Sequence, residues 1–174
     1  AALIEIYQEL AFKKWLADLG ETPTESAPAE LTPFTPGDYQ TIFEKDEFEQ
    51  WVEQLANSSA FAFDTETTSL SAQQAELVGV SFAYEVGKAA YVPVGHRYMG
   101  APDQLDIEYV LSKLKPLLED PELPKIGQNL KYDISVLANY DIDVQGGIFD
   151  TMLESYVIDS VSNRHDMDTL SITH

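Results

Sequence analysis

Apolar positions along the chain fall into distinct rhythms. Leu3, Tyr7, Leu10, Ala11, Trp15 and Leu19 recur near one face at helical spacing and predict an amphipathic helix over residues 1–19. Between residues 20 and 38 that rhythm lapses into four prolines, two glycines and scattered Ser, Thr and Glu, the composition of a flexible linker. A compact domain is expected from Tyr39 onward. Tyr39 to Phe43 predicts a short strand, and Phe48, Trp51, Val52 and Leu55 follow i, i+3, i+4, i+7 after the polar Asp46, predicting a helix. Phe61-Ala62-Phe63 opens a second strand. Leu77 to Tyr84 and Ala89 to Val94 predict two more, joined by Glu85-Val86-Gly87-Lys88, with Pro93 at an edge or a strand end. Asp106 caps a helix carrying Val110, Leu111 and Leu114, which Pro116 ends or kinks. Pro124 to Gly127 predicts a short strand running into a helix whose apolar face is Leu130, Ile134, Leu137 and Ala138. Asp150 caps a helix over Thr151 to Ile158, and Asp166 and Asp168 lie in a polar turn that opens the next. Periodicity alone thus gives an α/β fold.

Alternation along the second strand brings in chemistry. Ala62, Asp64 and Glu66 share one face, and Phe61, Phe63 and Thr65 share the other. Residues two apart lie about 6.5 to 7 Å apart at Cα, so the two carboxylates can reach one ion with oxygen ligands. Without a cation, their repulsion raises one pKa or distorts the strand end. A solvated Asp-x-Glu at a strand terminus is the plain alternative. Asn129 and Asp133, four apart, fall on one face at the start of a helix. There the plain readings are a cap for Asn129 and a dipole-favoured acid for Asp133.

Charge narrows the partners. Acids outnumber bases 30 to 10, a net charge of −20, with no evident basic stripe. Long-range attraction of duplex DNA through counterion release is therefore missing. The chain has no cysteine, which excludes disulfides and thiolate metal sites. No run approaches the roughly 20 apolar residues of a membrane span, and no signal peptide, phosphate-binding glycine loop or internal repeat is evident. The expected partners do not include a membrane. His96, His165 and His174 show no metal-ligand spacing and read as structural or exposed.

Five stretches carry a resemblance: Phe61-Ala62-Phe63-Asp64-Thr65-Glu66-Thr67, Leu77-Val78-Gly79-Val80-Ser81-Phe82-Ala83, Gly127-Gln128-Asn129-Leu130-Lys131-Tyr132-Asp133, Phe149-Asp150-Thr151-Met152-Leu153-Glu154-Ser155-Tyr156 and Arg164-His165-Asp166-Met167-Asp168. Together they resemble the 3′ to 5′ proofreading exonuclease domain of bacterial DNA polymerase I, from about Tyr39 to the last residues. The resemblance implies a ribonuclease H-like mixed sheet flanked by helices, of the DEDD exonuclease type. It also implies hydrolysis of the terminal phosphodiester of single-stranded DNA ends, releasing nucleoside 5′-monophosphates, with two divalent cations, Mg²⁺ or Mn²⁺. Oxygen-only ligands agree with those metals. By position, Asp64 bridges the two ions, Glu66 binds one of them and the terminal 3′ hydroxyl, and Asp133 holds the other, largely through water. Thr67 and Leu70 contact the terminal nucleotide, Leu70 as a wedge between the last two bases. Gln128 and Asn129 line the strand groove. The implied setting is the cytoplasm of a bacterium, at the nucleoid, beside a polymerase domain of the same longer chain. That neighbour would hold the duplex and raise the effective concentration of the strand end, so weak, metal-dependent affinity for free single strands is expected.

The family's third acidic motif, Tyr-x-x-x-Asp, lies downstream of Arg164-His165-Asp166-Met167-Asp168, and the sequence stops at His174 and begins without Met. The expectation is a segment of a longer protein: residues 1–19 the tail helix of a preceding domain, 20–38 a linker, and 39–174 an exonuclease domain incomplete at its C-terminus. Such a segment would bind metal weakly and hydrolyse nothing measurable by itself. Two alternatives stand: a non-catalytic structural module of a polymerase, and a ribonuclease D-like RNA exonuclease.

Overall fold

Residues 2–9, 37–161 and 164–173 are described by a computed structural model. Of the first predicted helix, Ala2–Glu9 is helical (α1); the remainder of that helix and the linker up to residue 36 lie outside the described residues. The chain divides into two compact units, one of Thr35–Glu154 and one drawn from Ala1–Phe34 and Ser155–His174. No helix among the described residues is long and apolar enough to cross a membrane.

The larger unit is built on six strands: β1 (Asp38–Thr41), β2 (Phe61–Thr67), β3 (Leu77–Glu85), β4 (Lys88–Pro93), β5 (Lys125–Gly127) and β6 (Ile148–Asp150). They lie in the order β1-β4-β3-β2-β5-β6. The β2–β3 and β3–β4 pairs are antiparallel; β1–β4, β2–β5 and β5–β6 are parallel. This is the mixed sheet expected. The β3–β4 turn is tighter than predicted, since Glu85 pairs with Lys88 and leaves two residues at the tip, with Gly87 at φ 82°. Pro93 closes β4, where its missing N–H breaks no ladder.

Helices α2 (Lys45–Ala56), α3 (Ile107–Leu118) and α4 (Leu130–Ala138) pack on the sheet or on one another. In α2, Phe48, Trp51 and Leu55 are buried, as their spacing requires. Asp106 accepts the Tyr109 N–H at 2.9 Å and caps α3. The helix runs through Pro116 to Leu118. Pro116 sits so close to the C-terminus that the lost N–H bond and ring clash affect only the last turn. In α4 the buried residues are Leu130, Asp133, Val136 and Leu137, while Ala138 is exposed. The helix is thus turned from the orientation its apolar spacing predicted, and an aspartate points inward.

Helix α5 spans Thr151–Ile158; in the smaller unit α6 (Met167–Thr173) begins after Asp166, whose carboxylate accepts the Thr169 N–H at 2.8 Å. His165 is buried: it stacks on Tyr156 with ring centroids 3.8 Å apart, and its Nδ1 lies 2.7 Å from Ser155 Oγ. His174 lies outside the described residues.

Candidate active site

β2 makes the site by obeying strand alternation. Phe61, Phe63 and Thr65 are buried, whereas Ala62 and Asp64 are half-buried and Glu66 is exposed. The two acids therefore project from one face, as the sequence requires.

What brings a third acid to them is a short pairing. β2 is paired with β5 only through Phe61–Lys125 and Ala62–Ile126; Gly127 pairs with Asp150 of β6 alone, and the chain then turns away from β2. Gly127 permits this departure, because a Cβ there would lie 2.4 Å from Leu130 Cδ2 and 2.9 Å from Phe63 O. Beyond Ala62 the β2 edge has no strand partner on that side, and its backbone donors need acceptors. Asp133 supplies one. Its Oδ1 accepts the Thr65 N–H at 2.9 Å and the Thr65 Oγ1–H at 2.6 Å. Asp133 is 2% exposed, and burial raises its pKa while the two bonds from Thr65 oppose the rise.

The opening so formed is a cleft of about 430 Å³. All seven residues singled out from sequence line it: Asp64, Glu66, Thr67, Leu70, Gln128, Asn129 and Asp133. Leu70 is 98% exposed and stands out into solvent. The Thr67 and Tyr132 hydroxyls lie 2.5 Å apart, and Tyr132 also donates to the Ser69 carbonyl, so the chain after β2 is tied to the first turn of α4. Thr68 N donates to Glu76 O and Glu76 N to Thr68 Oγ1, both at 3.0 Å, which closes the base of the loop carrying Leu70.

Asn129 is not the cap that its position suggested. It adopts φ 58°, ψ 41° and makes no side-chain cap bond. Asp150 takes that role. Its carboxylate accepts N–H bonds from Asn129 at 3.0 Å and Leu130 at 2.9 Å, and also from Met152 at 3.0 Å and Leu153 at 3.3 Å. One buried carboxylate therefore caps α5, as predicted, and α4 as well. Tyr132, Thr65 and the second task of Asp150 escaped the sequence reading. Only the adjacency of Tyr132 to Asp133 hinted at the first.

Electrostatically the cleft is uncompensated. The Asp64 carboxyl is pushed up to about 6, first by burial and then by the charges of Asp133 and Glu66. Among the described residues the ion pairs involve other groups. Between pH 4 and 6 the folded chain holds a proton on Asp64 that the unfolded chain, with its ordinary value of 3.8, has released. Stability from this group is thus greatest below pH 4 and is lost as pH rises through 6. Asp64→Asn is accordingly expected to raise the metal-free melting temperature by a few degrees at pH 7.5, with the difference vanishing near pH 4; a scan of wild type and variant at both pH values checks this.

Oxygen-only, anionic donors converging on one cleft suit a hard divalent cation. Yet among the described residues no three His, Cys, Asp or Glu side chains are grouped closely enough to hold one ion together.

A model of the 3′–5′ exonuclease family matches residues 39–172. The chain belongs to that family. Members of the 3′–5′ exonuclease family normally use divalent metals. Among curated relatives, DNA polymerase I of Pseudomonas aeruginosa is 51% identical over 178 residues, covering 99% of this chain and 20% of that protein. DNA polymerase I of Rhizobium leguminosarum is 39% identical, covering 89% of this chain and 17% of that protein. The exonuclease chain thus spans about a fifth of the length of these relatives. In fold it is similar to the Brucella melitensis NrnC structure with bound Mg²⁺, with TM-score 0.51, 23% identity and coverage of 75% of this chain and 57% of that one.

Proposed function

We propose that this chain is the 3′ to 5′ exonuclease segment of a bacterial DNA polymerase, hydrolysing the terminal phosphodiester of a single-stranded DNA end and releasing nucleoside 5′-monophosphates. The meeting of the seven sequence-selected residues on one cleft supports this reading above all else. Identity of 51% to a DNA polymerase I along nearly the whole chain favours it over a ribonuclease D-like enzyme. Retention of Asp64, Glu66 and Asp133 favours it over a non-catalytic module.

In this reading Asp64 would help hold both of two divalent cations, Mg²⁺ or Mn²⁺, with Glu66 for one and Asp133 for the other. When bound, such ions activate a water and stabilise the leaving 3′ oxygen. The chain's own residues position the strand. Thr65 fixes Asp133, so this carboxylate needs no reorganisation. Glu66 faces the terminal 3′ hydroxyl and Leu70 wedges between the last two bases. Asn129, held through its N–H by the Asp150 cap, and Gln128, whose side-chain oxygen accepts from Thr151 Oγ1, line the path of the strand. A frayed or mispaired end suits this cleft, because little energy is needed to unstack it. In this reading a polymerase domain of the same longer chain, in the cytoplasm at the nucleoid, binds the duplex; a deficit of basic residues supports leaving that task to it.

The test is nucleotide release from a 3′-labelled single-stranded DNA oligomer by a chain carrying this segment together with the family's Tyr-x-x-x-Asp motif. Activity is expected with Mg²⁺ or Mn²⁺, is expected to disappear with a chelator, and should exceed that on RNA of the same sequence. Unchanged release after metal removal, or a preference for RNA, would overturn the proposal.

A further inference from the structure

A second cleft, of about 460 Å³, opens from Glu66 and Thr67 toward β3 and β4, lined further by Val78, Tyr91 and His96. Its geometry follows from the sheet register. Asp64 pairs with Ser81 and Ser81 with Tyr91, while Glu66 pairs with Gly79. Cross-strand partners share a face, so Tyr91 emerges on the face that carries the two acids. A Cβ on Gly79 would lie 2.0 Å from Tyr91 Oη and 2.3 Å from Cζ. The tyrosine ring therefore crosses the sheet directly over Gly79, toward the row of Glu66, through space that only glycine leaves.

That ring is held in place. Tyr91 Oη lies 2.6 Å from His96 Nε2, with the two rings edge to face at 5.9 Å. Gln104 grips the backbone of His96 from both sides: its Oε1 accepts the His96 N–H and its Nε2 donates to the His96 carbonyl, each at 2.8 Å. Tyr98 also packs edge to face on the imidazole, with ring centroids 5.8 Å apart. Aromatic walls fixed in this way lose little entropy on binding.

The lining selects the ligand. Glu66 is its one charged residue and no Lys or Arg contributes, so a phosphate is repelled. A single carboxylate among Val78 and two rings is a poor cation site. A flat, neutral group with apolar faces and a hydrogen-bonding edge fits, and base–aromatic stacking adds affinity whichever base is present. We infer that this cleft is a nucleobase subsite for the strand end, formed by the Tyr91–His96 pair beside Glu66. The inference rests on the exonuclease reading above and adds to it a source of affinity suited to a chain of net charge −20.

The test titrates the 174-residue chain, with Mg²⁺ present, with thymidine 5′-monophosphate and separately with inorganic phosphate, followed by saturation-transfer NMR on the base protons. Thymidine monophosphate is expected to bind more tightly than phosphate. His96→Ala, which unpins the tyrosine, and Gly79→Ala, which displaces its ring, are each expected to weaken the nucleotide about tenfold and to leave phosphate unchanged. Circular dichroism checks that each variant is folded. Equal affinity for nucleotide and phosphate, no nucleotide binding by the folded wild type, or unaltered nucleotide affinity in folded His96→Ala would overturn the subsite. Failure of the exonuclease proposal shows separately, in hydrolysis that ignores chelation.

Discussion

Replacing Asp64 with alanine is expected to lower the rate of nucleotide release from single-stranded DNA by about a thousandfold or more. In the proposed mechanism this carboxylate would help hold both cations, and metal stabilisation of the developing charge is worth several kcal/mol, about 1.4 of which make each factor of ten. The loss should fall on kcat more than on KM, because Thr67, Leu70, Gln128 and Asn129 remain to bind the strand end. Unfolding cannot account for it. Asp64 is a half-buried acid beside Asp133 and Glu66 with its carboxyl held near 6, so its removal relieves repulsion and the melting temperature at pH 7.5 should hold or rise. The measurement is single-turnover release by wild type and variant, in a chain carrying the Tyr-x-x-x-Asp motif, with thermal melting of each. A folded Asp64→Ala protein as fast as wild type would remove this residue from the mechanism.

Asp150→Ala is expected to produce the largest loss of stability, on the order of 3 kcal/mol, although Asp150 is assigned no part in the chemistry. A helix cap is worth about 1 kcal/mol, and each buried N–H left without an acceptor costs about 1–3 more. Asp150 serves two helix starts at once through four N–H groups. Asp150→Asn keeps one carbonyl oxygen and should fall between wild type and alanine. Denaturant unfolding of the three proteins decides the order. The alanine variant should also bind single-stranded DNA less well, since Asn129 loses the N–H bond that sets its place on the cleft. Asp166→Ala, which removes one cap at the start of α6, provides the single-cap comparison. Equal losses for Asp150→Ala and Asp166→Ala would mean that the second set of bonds contributes nothing.

Much of this was legible in the chain because it depends on local periods. Alternation in Phe61–Thr67 placed Asp64 and Glu66 on one face and buried Thr65 opposite. Spacing in Lys45–Ala56 identified Phe48, Trp51 and Leu55 as core, and the cap at Asp106 was visible from its place before an apolar run. Apolar spacing was less informative in Leu130–Ala138. It favoured Ala138 over Asp133 for the interior, since it ranks residues by hydrophobicity and has no knowledge of an unpaired N–H waiting on another strand.

The one-dimensional pattern therefore determined which elements form and which acids face outward together from β2, because those follow from bond geometry repeated every two or 3.6 residues. Tertiary structure alone decided that β5 stops pairing with β2 after Ile126, that Asp133 turns inward to satisfy Thr65, that Asp150 caps α4 in addition to α5, and that Tyr91 reaches across Gly79 toward Glu66. Each of these joins residues 12 to 68 positions apart, and what selects them is hydrogen bonds left over and space left empty once the sheet register is set.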